Sequence, residues 1–300
     1  MKKNYFLGLS KEGFHRVSYL EWGIADARSL PIICVHGMSR NARDFDELAT
    51  YLSNAKRHVF CPDVIGRGDS DWLKDPRHYT TEQYLADLTT LIARTQAPQV
   101  DWIGTSMGGL LGMVLASFPH SPIRCLVLND IGPHVPAKGL SRLATYINRK
   151  STFDTLEEAK AYFKTILNSF GPLSEEQWQH LTENSVSTTS SGQLALKMDP
   201  HLTLSPSLRA LLSRFAMHPI KSIRGGLFDM DLWDIWRKIT CPVLVIHGSQ
   251  SDILLPETVK KMQQLHPQTD VIEIADAGHA PALLEKAQHE MIYQWLLKHS

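Results

Sequence analysis

The sequence predicts an α/β protein built on a doubly wound, mostly parallel sheet with one inserted all-helical segment. Three observations predict it. Short β-branched runs alternate with longer helical patterns through residue 130, and the same alternation resumes at residue 243. Between them, over 133–238, amphipathic helical patterns follow one another with no convincing strand.

The strand runs are 14–21, 31–35, 58–62, 99–103, 123–129, 243–247 and 270–274. Helical patterns occupy 42–53, 80–95, 107–118, 256–265 and 281–298 between and after them. Within the insertion the helical patterns are 140–150, 156–168, 174–182 and 207–215. An all-helical stretch set between two strands of one sheet is most simply a lid packed over the sheet's edge, because neither junction reads as a flexible linker. The expected division is a core of 1–132 and 239–300 with a helical cap at 133–238.

Composition bounds the function. The chain has 300 residues, 43% of them hydrophobic and 21% charged, so a sizeable packed core can form. Lys plus Arg number 31 and Asp plus Glu also 31, which leaves no global field for a phosphate backbone or an anionic membrane. The longest apolar runs, such as Cys241-Pro-Val-Leu-Val-Ile246, fall far short of a membrane span. Residues 1–10 do not read as a secretory signal. A cytoplasmic protein acting on a small-molecule substrate, as a monomer or homodimer, without nucleic acid or membrane, is expected. The cysteines Cys34, Cys61, Cys125 and Cys241 each lie in or beside a strand run and read as buried free thiols. No H-E-x-x-H or similar ligand spacing occurs, so neither metal nor cofactor is expected.

The strongest chemical signal is Gly104-Thr-Ser106-Met-Gly108-Gly109, set between the strand run ending at Ile103 and the helical run Leu110-Leu-Gly-Met-Val-Leu-Ala-Ser117. Glycines two residues either side of the serine remove side chains that would clash in a sharp turn, which pushes Ser106 into a strained geometry with its hydroxyl exposed. A serine hydroxyl needs a base to take its proton and a carboxylate to orient that base. His279 fits the base, in the short turn Ala277-Gly-His-Ala280 between the last strand run and the last helix. Two aspartates compete for the acid. Asp252 follows the strand 243–247 in Gly248-Ser-Gln-Ser-Asp252 and is favoured; Asp130, at the end of the strand 123–129, is the rival. Asp276 is too near His279 in sequence to bridge back to its ring.

Val35-His36-Gly37-Met38-Ser39 ends another buried strand, and a His-Gly pair there lets the backbone approach the nucleophile. The N–H groups of Met38 and Met107 are then placed to hold a developing oxyanion. This is a role for the backbone, and the side chain at 38 matters less.

With these residues in view, the chain resembles the α/β-hydrolase superfamily. It also carries Pro62-Asp63-Val-Ile-Gly66-Arg-Gly68-Asp-Ser70, similar to that superfamily's D-x-x-G-x-G-x-S turn. The resemblance spans roughly 14–132 and 240–298 and leaves the helical insertion without a match. It implies an eight-stranded, mostly parallel sheet with a cap inserted after the sixth strand. It also implies Ser106 as nucleophile, Asp252 as acid, His279 as base, and Met38 with Met107 as oxyanion hole. Haloalkane dehalogenases and epoxide hydrolases of this fold carry aspartate at the position of Ser106, so both activities are disfavoured.

Hydrolysis of small carboxylic esters through an acyl-serine leads the readings. Tyr146, Phe163, Trp178, Met217, Phe228, Trp233 and Trp236 could line an acyl pocket or simply pack the helices. Hydrolysis of a C–C bond in a dioxo acid is the alternative and would use basic residues among Arg142, Arg149, Arg209, Arg214 and Arg224. A small-ligand receptor on a hydrolase fold is the third reading.

Overall fold

The computed structural model describes residues 1–26, 29–147, 151–204 and 229–299. A hairpin of β1 (Lys2–Ser10) and β2 (Gly13–Trp22) opens the chain and supplies one antiparallel edge of the sheet. The 31–35 run forms β3 (Ile32–Val35), and β4 (Val59–Pro62), β5 (Val100–Thr105) and β6 (Ile123–Asn129) follow it. Two more core strands, Val243–Gly248 and Thr269–Ile274, close the sheet at its far edge. Counting β1, the sheet has eight strands in the order β1-β2-β4-β3-β5-β6, then Val243–Gly248 and Thr269–Ile274. From β4 onward all pairings are parallel, as the alternation of strand and helix requires.

β1 is absent from the expected strands. Only Phe6 and Gly8 on it are buried, while Leu7 and Leu9 stand on the open face, so its apolar residues are divided between the two sides and print no clean alternation. The strands Ile32–Val35, Val59–Pro62 and Val243–Gly248 are buried along their whole length, which is why they read as continuous apolar runs. Trp102 and Leu126 point into one apolar cluster with Leu111 and Met113, and their neighbours Ile103 and Val127 point into the other with Leu48 and Leu296. Each such side chain contributes about 1.5–3 kcal/mol on burial. Cys34, Cys61 and Cys125 are buried among these layers and Cys241 is half-buried, all as free thiols.

The core helices are α1 (Asp46–Asn54), α2 (Thr81–Arg94) and α3 (Met107–Ala116), with Pro256–Leu265 and Lys286–Lys298 near the C-terminus. The 42–53 pattern divides into a 3₁₀ turn over Ala42–Phe45 and then α1. α2 starts where the Thr80 hydroxyl accepts the Gln83 N–H at 3.2 Å. The final helix starts later than its pattern, at Lys286, because 281–285 is irregular, with Leu283 in the left-handed region at φ 55°.

The segment between the sixth core strand and Val243 is not all-helical, which corrects that expectation. Its helices Ala137–Ile147, Leu156–Ile166 and Glu175–Ser185 fall where the patterns place them; the 207–215 pattern lies outside the described residues. Between them Thr152–Phe153, Leu194–Leu196 and Val186–Thr188 form a three-stranded antiparallel sheet, and His134–Val135 pairs with Met230–Asp231. Strands of two or three residues are too short to print a period in the sequence. The segment has its own apolar cluster, including Phe153, Phe163, Trp178 and Leu181.

Register is what positions the site. Val35 pairs with Gly104, Thr105 with Asn129, and Asn129 with Ile246, so the carboxyl ends of four neighbouring strands lie in one row. The residues that follow them, His36-Gly37, Ser106, Asp130 and the loop from Gly248, therefore meet at one edge, where open α/β sheets bind ligands.

Candidate active site

Ser106 has φ 50° and ψ −111°, left-handed backbone at the junction of β5 and α3. The two flanking glycines make this turn possible. A Cβ on Gly104 would lie 2.4 Å from the Gly108 backbone, and one on Gly108 would lie 2.0 Å from the Val35 carbonyl oxygen. No side chain fits either place, so the turn is sharp and the serine stands at its tip.

The Ser106 hydroxyl lies 2.9 Å from His279 Nε2, and His279 Nδ1 lies 2.8 Å from Asp130 Oδ2. The Asp130 carboxylate also accepts the Gly248 N–H at 2.8 Å and the Ser251 hydroxyl at 2.6 Å, with no exposed surface. With three donors facing it, this buried carboxylate is satisfied as an anion. It holds the imidazole with Nδ1 protonated and Nε2 free to accept from serine.

Asp252 is not beside the imidazole nitrogen, which corrects its expected place in the triad. Its carboxylate forms a bidentate pair with Arg142 of helix Ala137–Ile147, both contacts at 2.5 Å. Burial opposes ionisation of Asp252, but the hydrogen bond and charge of Arg142 outweigh it and hold the carboxyl below its ordinary range. The hydroxyl of Ser251, one residue earlier, is what this loop offers to Asp130.

Further contacts steady the His279 loop. Asn129 Nδ2 donates to Pro281 O at 2.8 Å, the Gly278 N–H donates to Ser169 O at 2.8 Å, and the Ser169 hydroxyl donates to His279 O. Ser169 belongs to the inserted segment, so that segment touches the base directly.

Met38 follows β3 on the opposite side of Ser106, and an ideal Cβ on Gly37 would stand 3.8 Å from the Ser106 Cβ. His36 Nδ1–H donates to Gly37 O at 2.7 Å, while His36 Nε2 accepts the Val64 N–H at 2.9 Å. Burial keeps this imidazole neutral, lowering its pKa to about 3. Gly37 O and Met38 N–H belong to one peptide plane and point in opposite directions, so gripping the carbonyl aims the N–H. Met107 opens α3, and its N–H has no acceptor within the helix. The structure thus brings Ser106, His279, Met38 and Met107 together and puts Asp130 where Asp252 was expected.

Ser106, His279, Met38 and Met107 line a cavity of about 130 Å³ among the described residues, walled by Leu110, Ile131, Leu140, Phe163 and Leu167 among others. Of the aromatics proposed for it, Phe163 lines it, whereas Trp178 packs within the inserted segment and Trp233 and Trp236 pack into the main core. The side chains of Tyr146, Met217 and Phe228, and Arg149, Arg209, Arg214 and Arg224, lie outside the described residues. Arg142 lines the cavity, and so does Arg40, which the sequence reading passed over. Arg40 is bound to the Asp44 carboxylate at 2.6 Å and to the Ser185 hydroxyl at 2.8 Å. The i,i+4 spacing of Arg40 and Asp44 was the available signal.

Comparison with known proteins identifies the family. The family model described as alpha/beta hydrolase fold matches residues 31–286. A 3-hydroxybutyrate-oligomer hydrolase of Cupriavidus necator is 41% identical over 283 residues, covering 93% of this chain and 92% of the relative. The crystal structure of an alpha/beta hydrolase from Novosphingobium aromaticivorans superposes with a TM-score of 0.81 at 32% identity, covering 100% of this chain and 98% of that one. A crystal structure of a Rickettsia typhi protein gives a TM-score of 0.87 at 34% identity, each chain covered in full.

Proposed function

We propose that this chain, which belongs to the alpha/beta hydrolase fold family, is a serine esterase that cleaves small carboxylic esters through an acyl-Ser106 intermediate. The observation that carries the reading is the line of contacts from Asp130 through His279 to the Ser106 hydroxyl, at 2.8 and 2.9 Å. Ser106 Oγ attacks the ester carbonyl while His279 Nε2 takes its proton. The carbonyl oxygen becomes an oxyanion held by the N–H groups of Met38 and Met107, and losing one such donor costs about 3 kcal/mol of transition-state stabilisation. The intermediate collapses as His279 returns the proton to the departing alcohol. Water, deprotonated by the same nitrogen, then releases the acid from Ser106. Segment 133–238 acts as a cap, supplying Leu140 and Phe163 to the acyl pocket and Ser169 to the His279 loop.

For substrate we propose short aliphatic hydroxy-acid esters, with 3-hydroxybutyrate oligomers foremost. The name of the 41% identical relative supports this class, and so does a mostly apolar pocket. The arginines lining it, Arg40 and Arg142, are each matched by a carboxylate, which suits a substrate of low charge better than a dianionic dioxo acid.

The test compares wild type with Ser106→Ala on 3-hydroxybutyrate dimer and trimer and on p-nitrophenyl esters from acetate to laurate. Wild type should release 3-hydroxybutyrate, with turnover falling by at least about 10³-fold in Ser106→Ala. Turnover that survives the substitution overturns the acyl-enzyme reading, and ester turnover without oligomer cleavage overturns the substrate.

A further inference from the structure

Arg67 has only 1% of its surface exposed and lies in the Asp63–Ser70 turn that resembles the superfamily's D-x-x-G-x-G-x-S motif. Among the described residues its hydrogen-bond partners are all neutral. Nε–H donates to Met38 O at 2.9 Å, Nη1–H donates to Ile65 O at 3.0 Å and to the Tyr84 hydroxyl at 2.7 Å, and Nη2 lies 3.9 Å from Met107 Sδ. The guanidinium also stands over the Tyr84 ring, 5.1 Å from its centroid.

A buried cation without a carboxylate is costly, so a purely structural site would be better filled by an apolar side chain. What this cation touches is informative. Met38 and Met107 are the two residues whose N–H groups the esterase reading assigns to the oxyanion, and Arg67 contacts both, at Met38 O and at Met107 Sδ. The peptide before Met38 is already held by His36 through Gly37 O, at 2.7 Å. The peptide after Met38 is held by Arg67. With both flanking planes fixed, residue 38 cannot rotate its N–H out of line.

The arginine is itself anchored. The Asp199 N–H donates to Gly66 O at 2.9 Å and the Gly68 N–H donates to Lys197 O at 2.8 Å, so the turn is strapped on both sides of Arg67 to the inserted segment. A planar fork with fixed donor directions can grip several acceptors at once, which a lysine cannot do.

We propose that Arg67 is a positioning residue of the oxyanion hole: it holds Met38 and Met107 in register and places a buried positive charge behind the developing oxyanion. The proposal rests on the esterase reading, whose own failure shows separately as turnover that survives Ser106→Ala.

The test uses Arg67→Met and Arg67→Lys on a p-nitrophenyl ester, with butylboronic acid as a probe that becomes tetrahedral on Ser106. In Arg67→Met, kcat should fall by about 10- to 100-fold while KM stays within about twofold, because a misplaced donor is felt mainly in the transition state. Boronate affinity should fall by the same factor as kcat/KM. Arg67→Lys, which retains the charge but replaces the planar fork by a single ammonium nitrogen, should recover part of both losses. A folded Arg67→Met enzyme with kcat and boronate affinity within about twofold of wild type overturns the proposal, as does a change confined to KM. Should neither variant fold, Tyr84→Phe decides, since it removes an Arg67 acceptor and leaves the hole's residues in place. A parallel fall of about threefold or more in kcat and boronate affinity supports the proposal, and unchanged values overturn it.

Discussion

Replacing Asp130 and Asp252 by asparagine, one at a time, separates the two acids that the sequence leaves in competition. At Asp130 the carboxylate faces three donors: the Gly248 N–H, the Ser251 hydroxyl and His279 Nδ1–H. An asparagine presents one oxygen and one NH₂. Its oxygen can serve the fixed Gly248 N–H, which turns the NH₂ toward His279 Nδ1. That nitrogen must then accept, the ring proton moves to Nε2, and Nε2 faces Ser106 Oγ as a donor instead of a base. Loss of the correct tautomer in a Ser-His-Asp triad costs about 10⁴-fold in kcat, or about 5 kcal/mol of barrier. Asp252 pairs with Arg142 at 2.5 Å, with side chains 45% and 27% exposed, so solvent screens the pair. Its removal should cost about 0–1 kcal/mol of stability and alter kcat by less than about threefold. Steady-state ester hydrolysis, with a thermal midpoint for each variant, reads both effects. A loss above about 10²-fold in Asp252→Asn, alongside Asp130→Asn within about tenfold of wild type, refutes the reasoning and restores Asp252.

Two further outcomes follow from the same geometry. Ser106→Gly should be more stable than Ser106→Ala by about 1–2 kcal/mol, because both lack the hydroxyl but only glycine is unstrained in a left-handed turn; equal midpoints in urea would show that the turn carries no strain. The buried neutral His36, lowered to about 3, gives a pH signature. The unfolded imidazole takes up a proton below about pH 6.5 that the folded one refuses, so stability falls as pH falls from about 6.5 to 3. Asp63, pushed up to about 6 by burial, acts oppositely between about pH 4 and 6, since its folded form takes up the proton first. The difference between wild type and His36→Asn isolates the histidine: the variant should lose about one proton's worth of acid-side slope in unfolding free energy. An unchanged slope would contradict a neutral His36.

What could be read from the sequence was what neighbouring residues decide together. The elbow is legible because the clashes that demand Gly104 and Gly108 arise within a few residues of Ser106 and across one adjacent strand. The central core strands are legible because burial on both faces makes them dense apolar runs, as in Ile32–Val35 and Val243–Ile246. β1 escaped because Leu7 and Leu9 put apolar side chains on its open face, and the insertion's strands escaped because they are two or three residues long. The acid escaped for a different reason. Asp130 and Asp252 both follow strands whose ends are neighbours, with Asn129 paired to Ile246, so strand position alone gives each a path to His279. What separates them is the company each carboxylate keeps. Asp130 collects donors from 118 and 121 residues away, and Asp252 meets a cation 110 residues away on the inserted segment. Arg67 obeys the same logic, since the turn around it is a local motif but its Met38 and Met107 partners lie 29 and 40 residues away. A nucleophile is announced by the turn it requires; an orienting acid or a buttressing cation is defined by partners that only the folded sheet brings within reach.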